Sequence, residues 1–183
     1  MINKVLLDQI IRDHNQFPVA PERSLLWQNI RIAYDLNGVT NVKAQELAKT
    51  HCNSLALYAL FRARGFFDGD YASWLLKFKN EIRQDGYVTV LAEKLAKDCG
   101  IADYKNIGNT YFENYNEVMN GSCLNKDKGY KIKVENIAGT GNHFMAGYAE
   151  EDGLYLSDSS SRGIRVKADK VISKNKFKWV GEI

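Results

Sequence analysis

With 183 residues, a net charge of +3, 45% apolar and 26% charged residues, the chain has the length of one domain and the composition of a folded one. So small a net charge excludes composition-driven disorder and does not by itself imply a nucleic-acid partner. No apolar run approaches the ~18–20 residues of a membrane span, and MINKVLLDQIIRDHNQ reads without a secretion signal. The three cysteines, Cys52, Cys99 and Cys123, stand at unrelated spacings, which argues against a disulfide framework and a CxxC metal site, so a reducing, cytoplasmic setting is expected.

The front of the chain has helical periodicity. Val5, Leu6, Ile10 and Ile11 recur at helical spacing before Phe17-Pro18 closes the segment. Ser24 is expected to cap a second helix ending near Asn37-Gly38, and a short amphipathic piece follows over 42–49. From Cys52 to Gly65 the sequence CNSLALYALFRARG has no polar face, so it predicts a helix buried on every side, with Thr50 as its candidate cap. Further helices are expected over 71–84, 88–98 and 111–119.

After Gly129 the period changes to about two. Tyr130, Ile132, Val134 and Ile137 alternate with polar residues, and short strands are expected over 143–148, 154–156, 164–166 and 177–180, with Gly139-Thr140-Gly141 as a hairpin loop. Helices first and an antiparallel sheet last predict a single α+β domain over 1–183: a mainly helical lobe over 1–128 and a mainly β lobe over 129–183, with the buried helix against the sheet.

Two chemistries compete in this pattern. The C-terminal run of Arg165, Lys167, Lys170, Lys174, Lys176 and Lys178 reads either as a nucleic-acid or membrane surface or as edge strands blunted by lysine, and without a nucleic-acid motif the second is favoured. The helix after Cys52 carries no polar side chains to reach base edges, so a helix-turn-helix reading fails. Cys52, His143 and Asp158 offer the other chemistry. A thiol opening a helix meets the positive end of the helix dipole, which favours the thiolate, and an imidazole completes its activation. A carboxylate beside the imidazole fixes its tautomer. A four-residue loop at 149–152 would put His143 opposite Asp158; a tight turn at Asp152-Gly153 would put Gly147 there instead. His143 could equally be a neutral histidine held by a backbone carbonyl, and Asp158 an Asx turn.

HCNSLALYALFRARG resembles the nucleophile helix of papain-like cysteine peptidases, and most of all that of bacterial bacteriocin-leader (double-glycine) peptidases. NHFMAGYAEEDGLYLSDSS resembles that family's His-Phe strand, acidic turn and Asp-ended strand. The resemblance covers 43–65 and 129–183. It implies a papain-like fold and a thiol hydrolase acting on an amide, peptide or isopeptide bond, peptidoglycan stems included, without cofactor or metal. Cys52 would be nucleophile, His143 base then acid, and Asp158 the orienting group. For the oxyanion it implies a glutamine upstream of the cysteine, for which Gln45 is the candidate, seven residues before Cys52 where the family commonly has six, with Asn53 as substitute. His51 beside Cys52 is atypical of the family, and either perturbs the thiolate or faces solvent. A catalytically silent binding module on the same scaffold is the alternative reading.

Overall fold

A computed structural model describes every residue except 39, 105–108, 111–114 and 136–140, and the backbone alone at 21, 41, 109, 110 and 179. The helices are α1 (Lys4–Asp13), α2 (Leu25–Ala33), α3 (Asn41–Ala48), α4 (Cys52–Ala63), α5 (Tyr71–Lys77), α6 (Ala92–Asp98) and α7 (Tyr115–Met119). The strands are β1 (Asn109–Thr110), β2 (Gly129–Glu135), β3 (Asn142–Glu150), β4 (Gly153–Ser157), β5 (Val166–Lys167) and β6 (Phe177–Glu182). They form one antiparallel sheet in the order β1-β6-β2-β3-β4-β5, so the chain is α+β.

Each face of the sheet carries its own apolar layer. Alternation puts Ala146 and Tyr148 of β3 on the face that meets α4, and the cluster built there includes Leu55, Leu60, Phe61, Trp74 and Leu26. Tyr130, Ile132, Met145, Leu154 and Leu156 face the other way, onto Val118 and Met119 of α7. Helix α4 is buried all round, as its apolar run predicts: Leu55, Leu57, Ala59, Leu60 and Phe61 are all buried. The β6 strand lies inside the sheet between β1 and β2, and Ile183 after it exchanges both backbone hydrogen bonds with Gly129.

Several local expectations are corrected. The helices expected over 71–84 and 88–98 stop at Lys77 and start at Ala92, because Gly86 (φ +75°) turns the chain back and Ile82 bridges Val88 in antiparallel fashion. Thr50 does not cap α4. Its hydroxyl donates to the Leu47 carbonyl (2.9 Å), and His51 holds the cap position without a side-chain cap bond. Ser24 precedes α2, but its hydroxyl donates to the Asn15 carbonyl (2.7 Å) instead of capping the helix. Tyr71, Trp74 and Phe78 are core residues. The expectations at Ile137, Gly139, Thr140, Tyr111 and Phe112 lie outside the described residues.

The hairpin register is also corrected. Glu150 pairs with Gly153 and Ala146 with Ser157, so β3 and β4 are joined by a two-residue turn at Glu151-Asp152. One step further on, that register places Met145, not His143 or Gly147, opposite Asp158. Asp158 lies just past the last paired residue of β4, where its backbone N–H donates to the Gly163 carbonyl, and from there its carboxylate reaches His143 at 2.7 Å. The expected four-residue loop is not formed, and the contact is made from beyond the end of the β3–β4 pairing rather than across it.

Candidate active site

Three structural elements bring the site together. Cys52 is the first residue of α4, His143 the second of β3, and Asp158 follows the last residue of β4. His143 Nε2 and Asp158 Oδ1 are 2.7 Å apart. The cysteine lies near enough to His143 to raise the ring's pKa. With Nε2 taken by the carboxylate, Nδ1 is the nitrogen left for the sulfur. Cys52 and His143 keep 9% and 8% exposure against 3% for Asp158, and 11% of the His143 side chain is exposed against none of the Asp158 side chain.

The carboxylate is held from several sides. The Ser160 backbone N–H donates to Oδ1 (2.9 Å), as does the Ser160 hydroxyl (2.8 Å), while the Arg162 guanidinium stands 3.2 Å from Oδ2. The bond from Ser160 N is an Asx turn, so Asp158 fills its ordinary loop-forming role and holds the histidine with the same group. Burial pushes the Asp158 carboxyl up, but the hydrogen bonds from His143 and Ser160 and the His143 charge outweigh it and hold it well below the usual carboxylate range. Burial pulls His143 down, yet its bonds to Asp158 and Cys52 prevail and raise it to about 9. A carboxylate that stays ionised accepts a hydrogen bond from Nε2–H and so leaves Nδ1 as the ring's other nitrogen.

Gln16 and Arg162 were not read as site residues in the sequence. Gln16, in the loop after α1, is 1% exposed. Its backbone N–H donates to the Ser159 carbonyl (2.7 Å), its Oε1 accepts from the Ser159 hydroxyl (2.9 Å), and its Nε2 donates to the Ala48 carbonyl (2.7 Å). One side chain thus ties the loop after Asp158 to the turn before Cys52. Nothing local in HNQFP signals this, since both partners are distant in sequence. Arg162 carries a weak signal, being four residues after Asp158 across a serine-rich loop, but it reads first as part of the basic C-terminal segment.

The oxyanion assignments change. Gln45 stands exposed on α3 and makes no hydrogen bond to Cys52 or His143 among the described residues, because α3 buries Ala44, Leu47 and Ala48 and turns Gln45 outward. The Asn53 amide oxygen accepts from Lys131 Nζ (3.3 Å), so this side chain is turned toward β2. The backbone N–H groups of the first turn of α4 remain as donors, having no acceptor within the helix. His51 is fully buried, with Nδ1 2.6 Å from the Leu47 carbonyl and its ring edge-on to Tyr71, and burial lowers it to about 4. It is a neutral packing residue and does not face solvent.

Arg165, Lys167, Lys176 and Lys178 pair with Glu150, Asp152 and Glu135 at 3.2–3.8 Å; Lys167 lies in the edge strand β5, whereas Lys178 lies in β6, inside the sheet. No helix among the described residues is long and apolar enough to cross a membrane, and no three His, Cys, Asp or Glu side chains among them converge as metal ligands. No protein-family model, curated protein or solved structure matches this chain.

Proposed function

We propose that the chain is a papain-like thiol hydrolase that cleaves an amide, peptide or isopeptide bond through Cys52, His143 and Asp158. The observation that carries the reading is the 2.7 Å contact between His143 Nε2 and Asp158 Oδ1, with a helix-opening cysteine near enough to the ring to raise its pKa. It joins three residues from separate elements in the roles a nucleophile, a base and an orienting group require.

The chemistry follows from the geometry. With the proton already on His143, the sulfur attacks the carbonyl carbon as the thiolate and the carbonyl π electrons move onto oxygen. That oxyanion meets the free N–H groups at the start of α4, where the helix dipole also favours negative charge. The C–N bond then breaks, the His143 proton passes to the departing amine, and a thioester remains. Water adds to the thioester, gives its proton to His143, and the C–S bond breaks to release the acid and restore the thiol. Asp158 stays ionised throughout and holds the ring. With Gln45 turned outward, the oxyanion relies on these backbone N–H groups; a lost donor lowers turnover by on the order of 10²–10³.

Alkylation tests the reading. Cys52 is expected to react with iodoacetamide near neutral pH faster than a free thiol, with the label absent in Cys52→Ala and slowed in His143→Ala. Labelling of Cys52 no faster than glutathione would favour a silent binding module.

A further inference from the structure

The carboxylate and the cysteine of the site are linked through His143. A second link passes through Gln16, which the chemistry above leaves unused. Its backbone N–H and its Oε1 both engage Ser159, the neighbour of Asp158 (2.7 and 2.9 Å). Its Nε2 donates to the carbonyls of Ala48 (2.7 Å) and Lys49 (3.3 Å), where α3 ends and the turn into Cys52 begins. The Ala48 carbonyl also accepts from the His51 backbone N–H (3.2 Å), and the His51 carbonyl accepts from Leu55 in the first turn of α4 (2.9 Å). A continuous series of hydrogen bonds therefore leads from the residue after Asp158 to the residue before Cys52.

Gln16 is itself held on both sides along the chain. His14 Nδ1 lies 2.7 Å from the Ile10 carbonyl of α1. The Asn15 carbonyl accepts from the Ser24 hydroxyl (2.7 Å), and its side-chain oxygen accepts from the Phe17 N–H (2.8 Å). At 1% exposure the Gln16 amide uses both of its N–H groups and one oxygen lone pair. An amide is buried at little cost only when paired in this way, and such a network favours one geometry. No other residue among those described hydrogen-bonds both the 158–162 loop and the 47–51 segment.

We propose that Gln16 is a positioning residue of the site: by tying the turn before Cys52 to the loop that carries Asp158, it sets the separation of the sulfur from the His143 ring. The proposal rests on the thiol-hydrolase reading and adds to it a residue that touches no reacting atom. Cys52 opens α4 and Asp158 follows β4, so nothing along the chain between them fixes how far apart they stand. Catalysis is sensitive to that separation, since a displacement of about 1 Å costs on the order of 10² in rate.

The test follows iodoacetamide labelling of the Cys52 peptide by mass against pH in the wild type, Gln16→Met and Ser159→Ala. Methionine fills a similar volume but neither donates to Ala48 nor accepts from Ser159. Tyr148→Phe, which loses a 2.7 Å hydrogen bond to Asp8 instead, controls for destabilisation alone. In Gln16→Met the labelling rate at pH 7 is expected to fall by about 10-fold or more, and the midpoint of the profile to move up toward the ~8.5 of a free thiol. Ser159→Ala cuts only the bond to Oε1, and a smaller shift in the same direction is expected. Tyr148→Phe is expected to lower the thermal midpoint and leave the labelling profile in place. A wild-type profile in folded Gln16→Met, or an equal shift in Tyr148→Phe, overturns the positioning role alone. If Gln16→Met does not fold, the Ser159→Ala profile decides in its place, and no shift there overturns the role. Wild-type labelling no faster than glutathione overturns the thiol reading and the positioning role with it.

Discussion

At the scale of residues, Asp158 concentrates the electrostatics of the site. Its carboxylate, with no side-chain exposure, faces both His143 and Arg162. Taking such a group out of water is costly, and the arrangement holds only because two cations and the Ser160 donors offset it. Removing the charge while keeping the shape, as in Asp158→Asn, strands both cations. Breaking a buried pair in this way costs about 3–5 kcal/mol, and mis-set tautomers lower turnover by on the order of 10⁴. The same pair sets a pH signature. His143 binds its proton more tightly folded than unfolded, so its contribution is fully present below 6.5 and is lost as pH rises through about 9. Asp158 has the opposite sign: its contribution is present above 3.8 and is lost as pH falls through its depressed folded value. The urea midpoint of the wild type is therefore expected to fall between pH 6.5 and 9, and that of Asp158→Asn to stay flat over the same interval. Parallel curves would show that the pair does not carry the linkage.

At the scale of elements, α4 must be fixed firmly enough to present a thiol. Its sides are apolar, but one polar tie crosses to α5: the Tyr71 hydroxyl (2.9 Å) and the Trp74 indole N–H (3.2 Å) both donate to Ser54 Oγ. Ser54→Ala strands two buried donors, at roughly 1–3 kcal/mol each, and a loss within that range is expected in thermal or chemical unfolding. The start of α4 is also wedged from outside. A Cβ at Gly86 would come within 2.6 Å of the His51 Cα, so the turn that ends the α5 region lies directly against the nucleophile's neighbour. Helix α4 was legible in the sequence because an unbroken apolar run has one reading. The shortened α5 and α6 were not, because helical spacing continues through residues that a positive-φ glycine and a two-residue bridge withdraw from the helix.

At the scale of the whole molecule, the sheet lies between two apolar layers, and β6, last in sequence, pairs on both sides. Deleting residues 177–183 would leave β1 and β2 without their shared partner and remove the Ile183 pairing to Gly129. The shortened chain is expected to lose the cooperative heat-absorption peak of the intact protein, rather than shift it by a few degrees; a retained peak would show that β6 is dispensable. The sequence by itself determined the helical front and the strands after Gly129, though not β1 (Asn109–Thr110), the burial of α4 and the candidacy of Cys52, His143 and Asp158, because periodicity and residue chemistry are local properties. Only the tertiary structure decided the two-residue hairpin turn, the outward placement of Gln45, and the parts played by Gln16 and Arg162. Each of those depends on which distant backbone or charge lies across the fold, and a hydrogen bond reaching 2.7 Å between residues 16 and 48 leaves no mark on either segment alone.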